Sequence, residues 1–477
     1  RDVERSRGLG DVYKRQVQEY WLNREHAKKL RRKVFLESTP IEFILFREFN
    51  VFKDAPGQHN MILILKNKKP KGKETILIKD LKKIAENSIV YSSLSITSDN
   101  EIFKVFNTDL QSLYDDKQDT VALVGDIAQE IWDKIHENVF FLKNKEIQQG
   151  IVTPQHFVTK KHIEKSENYL LQEGEGIFVL TEDECKKYDW TENELKILKP
   201  FYYAEEIDKY YHQLNNKYWL IYTDKEALYK LKKFTSKYPN IIEHLDKFKD
   251  IITSDHKPYG LHRPRQPEWF ESENKVVGVR KTKHPKFAVV NSPFYTDQAT
   301  IIIRPIITKV SPHFLTAILN SSLGHWIFYK LKTQGRQLQI DKSIILKFPI
   351  KIKNLQSLNL LSKYMLFLKQ YQNYFARENK HLQYIIDYFD NLIDCIVYEL
   401  YLGDVVKIPI RQFLKDKLVD IDLPENLLET EKKEQDEILQ KIERVFNEFD
   451  NDKILTENLY LIKLHPWVKT IYEALER

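Results

Sequence analysis

The feature that most constrains the fold is a change of hydrophobic period near Ile350. Upstream of it, apolar residues come in short β-branched and aromatic runs such as IEFILFREF, MILILKN, KYWLIYTD and TIIIRPI, separated by turn residues. Runs of that length and composition read as strands. Downstream, SLNLLSKYMLFLKQYQNYF, HLQYIIDYFDNLIDCIVYELYL and EKKEQDEILQKIERVFNEFD place apolar residues at helical spacing beside charged faces. A strand-rich part therefore precedes a helical one. With 477 residues the chain is also longer than one hydrophobic core usually fills. The expected fold is α/β and α+β multidomain, with a helical C-terminal region.

Composition excludes several classes. No apolar run approaches the ~18 residues of a membrane span, so no membrane partner is expected. The two cysteines, Cys185 and Cys395, stand far apart without CxxC or Cys/His spacing, which predicts neither a zinc site nor a disulfide framework and fits a reducing, cytoplasmic setting. The formal charge of +6, from 75 basic and 69 acidic residues, permits a nucleic-acid partner without demanding one.

Residues 1–16, RDVERSRGLGDVYKRQ, begin without Met and read neither as a signal peptide nor as a helix. SRGLGDVYKRQ resembles the translation of a transposase-type sequencing adapter, so this segment is expected to be non-native. A basic arm is the alternative. No strand precedes its glycines, so GLGD is not a phosphate loop.

YWLNREHAKKLRRKVFLES predicts an amphipathic basic helix, with Trp21, Leu22, Ala27, Leu30 and Val34 inward and Lys28, Lys29, Arg31 and Arg32 outward. IEFILFREF and MILILKN read as strands joined by a Pro-Gly-Asn connection, and KNKKPKGKE as a solvated basic loop, with a phosphate contact as the alternative. A helix is expected from Asp115 to Phe141, striped by Val121, Val124, Ile127, Ile131 and Ile135. From Gln148 the alternation of short strands, short helices and dense turns predicts an α+β module. TAILNSSLGHWIFYKL reads as one packed helix with Leu315, Ile318, Leu319, Leu323 and Ile327 on its core side. Asn320 and Ser321 are expected to cap or pack there, since no base or orienting group stands at a catalytic spacing, and His325 reads as a core or surface histidine rather than a ligand.

The order of blocks carries a resemblance. YWLNREHAKKLR, then FNVFKDAPGQHNMILIL, IVTPQ, FVLTEDE to LKPFYYAEEIDKYY, LHRPR with FESENKVV, and finally TAILNSSLGHWIFYK with GRQLQIDKSIILKFPI is similar to the C-terminal part of adenine-specific DNA methyltransferases, including the type IIG restriction-modification kind. The resemblance implies a division into the end of a methyltransferase core (17–114), a joining helix (115–145) and a target-recognition domain (146–352), ahead of the helical region (353–477) that the hydrophobic period predicts. It also implies double-stranded DNA as partner and S-adenosylmethionine as methyl donor in the intact enzyme, with Mg only if a nuclease domain stands upstream.

The family's cofactor loop and its Asn-Pro-Pro-Tyr acceptor motif are not in this sequence. NSPFY, Asn291 to Tyr295, lacks the first proline and comes too late in the order, so it reads as a turn. The expectation is a fragment, inactive alone, with no catalytic, cofactor-binding or metal residue of its own. Phe52 matches the position where the family places a ring against a flipped base. DNA contacts are expected from Arg263, Arg265, Arg280, Lys281 and Lys283, which lie among Trp269, Phe270 and Phe287, and from Arg336, Gln339 and Lys342 in the 334–342 stretch. Guanidinium forks match guanine edges, and lysines match phosphates. A non-catalytic DNA-binding specificity subunit stays open beside the methyltransferase.

Overall fold

The structure is a computed structural model of the chain, and it describes residues 12–47, 49, 51, 60–82, 84–116, 119–121, 126–166, 171–331, 337–351, 353, 355–424 and 426–475, apart from 23, 24. Phe52 and Arg336 lie outside the described residues, as do residues 1–11 of the segment expected to be non-native.

The N-terminal part is a five-stranded sheet of β1 (Val12–Gln18), β2 (Thr39–Leu45), β3 (Asn60–Lys66), β4 (Thr75–Leu81) and β5 (Phe103–Asp109), in the order β1-β3-β2-β4-β5. Only the β2–β4 pair is parallel. The runs read as strands from IEFILF and MILIL are β2 and β3, antiparallel neighbours. The segment expected to stand apart from the fold supplies β1 from Val12 onward, along one edge. Alternation sends Phe43 and Leu45 to one buried face and Ile44 and Phe46 to the other, as a period of two requires.

The basic helix differs from its expectation. Only Lys28–Arg32 is α-helical (α1), between tighter and wider turns. Arg31 is fully buried, and Leu30 is 46% exposed. The cause is Asp119, whose carboxylate takes the Arg31 guanidinium and inverts the face that periodicity assigns. The joining helix also differs: Tyr114–Asp115 and Thr120–Val121 form a short antiparallel pair, and the helix α2 runs only over Asp126–Ile135. Asp119 at the turn of that pair has φ 52°. Ala128, Ile131, Trp132 and Ile135 are its buried side, with Ile127 exposed.

Two four-stranded sheets build the middle of the chain. The first contains β7 (Val179–Thr181), β8 (Leu198–Tyr202), β9 (Tyr218–Ile221) and β13 (Tyr295–Thr296), ordered β7-β9-β8-β13. The second is antiparallel, with β6 (Ile147–Gln149), β10 (Lys275–Val279), β12 (Phe287–Val290) and β14 (Thr300–Ile303) ordered β12-β10-β14-β6. Its runs KVVGV, FAVV and TIII are apolar on both alternating sets, the mark of a sheet covered on both faces. Val277, Ala288, Val290 and Ile302 pack in the core of the first sheet, while Val276, Phe287, Ile301 and Ile303 pack on helices. Helices α3 (Lys225–Lys233) and α4 (Pro239–Lys247) flank the first sheet.

TAILNSSLGHWIFYKL forms two helices, α5 (Pro312–Asn320) and α6 (Ser322–Leu331), where one was expected. The break has a polar cause: the buried Asn320 amide turns to the backbone of Phe287, accepting from its N–H at 3.0 Å and donating to its carbonyl at 2.8 Å. Ser321 is extended, and a Cβ on Gly324 would stand 2.2 Å from the Ile318 carbonyl oxygen. The five expected core residues are all buried.

The C-terminal region is helical as its period predicts: α7 (Gln356–Phe375), α8 (Lys380–Val406), α9 (Lys432–Asp450), α10 (Lys453–Leu464) and α11 (Pro466–Leu475). Their apolar faces share one continuous core with α2, α5 and α6. Among the described residues no helix is long and apolar enough to cross a membrane.

Candidate nucleic-acid interface

The candidate basic segments come together at one corner of the two sheets. Gly150 sits where the chain leaves β6 and reaches the β13–β14 connection: its N–H donates to Thr300 and the next N–H to Thr296, at 3.3 and 2.8 Å. A Cβ at Gly150 would meet the Asp297 carbonyl oxygen at 2.0 Å, so only glycine allows this approach. On one side of the corner lies the HRPR segment. Arg263 pairs through its backbone with Val152, at 3.1 Å in both directions. On the other side, β11 (Lys281–Thr282) pairs antiparallel with β15 (Leu338–Gln339), setting Lys281 opposite Gln339.

The arginines of this corner divide by role. The Arg263 side chain is exposed and meets no carboxylate among the described residues. Arg265 has φ 67°, its Nε donates to the Gly150 carbonyl at 3.3 Å, and its own carbonyl accepts from the Tyr222 hydroxyl at 3.0 Å. It braces the corner. Burial, and after it the charge of Arg263, lowers the Arg265 pKa.

Arg280 is likewise committed. Its Nε donates to Asp341 Oδ1 at 2.9 Å, a second nitrogen makes a short bond to the same oxygen, and Nη1 reaches the Gln298 carbonyl at 2.5 Å. Asp341 Oδ2 accepts from Gln339 Nε2 at 2.9 Å. One carboxylate thus fixes Arg280 and orients the Gln339 amide. Lys281, Lys283 and His284 stay exposed beside it. Lys342 opens the short helical turn that follows, half-buried. Lys347 points elsewhere, donating to the Asp119 carbonyl of the N-terminal part at 2.7 Å. Trp269 carries Arg304 over its ring at 5.4 Å, whereas Phe270 and Phe287 are core.

Sequence reasoning missed the residues that hold this face: Gly150, Tyr222, Gln298 and Asp341. A glycine between two extended runs in IQQGIVTPQ was the one usable signal. The others become visible only in the fold: Asp341 once β11 and β15 are paired, and Tyr222 and Gln298 through their bonds to Arg265 and Arg280.

NSPFY is closed to a base. Asn291 Oδ1 accepts from the Asn274 N–H at 3.1 Å, and the Ser292 carbonyl accepts from Lys275 Nζ at 2.6 Å. Phe294 is buried, stacked on Tyr202 at 4.1 Å between ring centres. Burial, then the charge of Arg304, pushes the Lys275 ammonium down to about 7. The side-chain and backbone acceptors that an adenine amine would need already have partners, so these residues do not fit the family's acceptor site. Among the described residues no group of three or more His, Cys, Asp or Glu side chains could hold a metal ion.

Residues 199–350 match the TaqI-like C-terminal specificity domain. That specificity-domain segment runs from β8 to the end of the 334–342 stretch and beyond, and it includes Arg263, the β11–β15 pair and Asp341. It falls inside the region expected to recognise the target. No curated protein matches the sequence. Among solved structures, the chain is similar to the type IIL restriction-modification enzyme MmeI in complex with DNA, at 11% identity over 97% of this chain and 50% of that one, with a TM-score of 0.47. It is also similar to the type IIG restriction endonuclease BpuSI (12% identity, 83% and 48%, TM-score 0.30) and to DrdV in a DNA complex (10% identity, 95% and 50%, TM-score 0.32). The chain spans about half the length of these structures.

Proposed function

We propose that this chain reads the sequence of double-stranded DNA and lends that choice to a modification reaction. The observation that carries the reading is the coincidence of the specificity-domain match with the corner bearing Arg263, Lys281 and Gln339. An exposed guanidinium and an amide oriented by a carboxylate are the groups that address base edges, while exposed lysines address phosphate. In the intact protein the reaction is methyl transfer from S-adenosylmethionine to the exocyclic amine of adenine, with Mg-dependent cleavage added where a nuclease shares the chain. Phe52 is proposed to stack on the flipped base.

The occupied acceptors of NSPFY favour a second reading, a specificity subunit that works with separate catalytic chains. One experiment addresses both. Fluorescence anisotropy of labelled duplexes measures DNA binding, and transfer of labelled methyl groups from S-adenosylmethionine measures catalysis in the same samples. DNA binding without methyl transfer fits a reader whose catalytic groups lie outside these 477 residues; methyl transfer by this chain would place an acceptor site within it. Failure to bind any duplex would remove the proposal altogether.

A further inference from the structure

Beside the HRPR segment lies a cavity of about 420 Å³ with Lys196, Tyr222, Lys230, Phe234, Lys237 and Pro267 in its wall. It adjoins the reading corner, because Tyr222 donates its hydroxyl to the Arg265 carbonyl at 3.0 Å and Pro267 lies two residues past that segment. The three carboxylates that also face it are already engaged. Asp224 caps α3 by accepting from the Ala227 N–H at 2.8 Å. Glu226 is paired with Lys230, and Glu271 takes Lys199 at 2.8 Å and the Tyr295 hydroxyl at 2.7 Å.

Two exposed ammonium groups are left over. Lys196 and Lys237 meet no carboxylate among the described residues. Their backbones are tied to one another's neighbourhood: the Thr191 hydroxyl donates to the Lys237 carbonyl at 3.1 Å, and buried Glu194 accepts from the Ile241 N–H at 3.0 Å. Lys237 also stands over the exposed Phe234 ring at 5.4 Å, and Lys233 over the same ring at 5.3 Å. The stretch Lys225 to Lys237 carries five lysines against a single glutamate. A concave wall with two ammonium groups that no carboxylate engages among the described residues, and a ring at its lip, is suited to a phosphate group with a planar base beside it.

We propose that this cavity seats a backbone phosphate of the DNA strand that passes Arg263, with Lys196 and Lys237 as its ligands. The assignment rests on the DNA-reading function proposed above. It gives that reading an anchor: a phosphate gripped to one side of the corner fixes the register in which Arg263 and Gln339 meet the bases.

Lysine acetylation of the full chain, read by mass spectrometry, tests it in three arms: chain alone, chain with a duplex in excess, and chain with AMP. Lys196 and Lys237 are expected to lose acetylation several-fold with the duplex, and Lys441 to stay unchanged. In parallel, the Lys196→Gln, Lys237→Gln double variant is expected to lower the slope of log affinity against log salt by about 0.9, the share of one neutralised phosphate. If the wild-type chain binds duplex while both lysines stay reactive and the double variant keeps the wild-type slope, the cavity assignment is wrong and the reading function stands. Protection by AMP but not by duplex would reassign the cavity to a free nucleotide. No duplex binding by the wild-type chain would overturn the reading function and the anchor with it.

Discussion

Arg31 and Asp119, 88 residues apart, form an ion pair at the root of the N-terminal sheet. Arg31 Nε donates to Asp119 Oδ1 at 2.9 Å, Nη1 donates to the Trp21 carbonyl at 2.6 Å, and the Tyr114 hydroxyl donates to the same carboxylate at 3.1 Å. The Asp119 carbonyl in turn accepts from Lys347, so this residue joins the sheet to the specificity-domain segment. Because the guanidinium is fully buried, Arg31→Ala leaves Asp119 without its partner and is expected to cost about 3–5 kcal/mol. Chemical denaturation measures it, and a loss below about 1 kcal/mol would show that the pair is dispensable.

Asp394 makes a second prediction, about pH. It lies half-buried on α8, accepts from the Ser322 N–H at 2.8 Å, and faces Lys209, Asp390, Tyr398 and Tyr472. Burial is the main cause that raises its carboxyl to about 6 from 3.8; Lys209 opposes this, and Asp390 adds to it. A carboxyl raised on folding stabilises the fold fully below its unfolded pKa, and that contribution is lost as pH rises through about 6. Asp394→Asn keeps the acceptor and removes the charge. Its stability relative to the parent is therefore expected to improve between pH 4 and 7, by on the order of 2 kcal/mol. Parallel pH-dependence curves would contradict the assignment.

The two arginines of HRPR are expected to separate cleanly. Arg263→Ala removes an exposed fork and should weaken binding to a preferred duplex by about 1–3 kcal/mol with the thermal midpoint unchanged. Arg265→Ala removes the brace on Gly150 and should lower the midpoint by several degrees as well. Differential scanning fluorimetry beside anisotropy gives both readings. Equal midpoints for the two variants would remove the distinction drawn from the Arg265 hydrogen bond.

How much of this was legible beforehand depends on the range of the interaction. The strands of IEFILF and MILIL, the sheet run TIII, and the long C-terminal helices follow from local period alone. Arg31 did not, because a period assigns every charge to solvent, and only the fold supplies Asp119. The helix expected from Asp115 to Phe141 shortened to Asp126–Ile135 for the same reason: Tyr114–Asp115 pairs with Thr120–Val121 ahead of it, and Val139–Phe140 pairs with Ile350–Lys351 after it. Asn320 split a helix because its amide bonds to a strand 33 residues upstream. At the reading corner the basic residue types were visible, but Asp341 divides them into fixed and exposed groups through a pairing of β11 with β15 that sequence order does not reveal.

The central claim is sequence choice, and selection from a random duplex pool tests it most directly. The chain is incubated with the pool, bound duplexes are captured on a filter, and successive rounds are sequenced. Enrichment of one defined motif is predicted, with that enrichment lost in the Arg263→Ala, Gln339→Ala double variant while bulk DNA binding persists. Retained duplexes indistinguishable from the starting pool after several rounds, with binding intact, would contradict it.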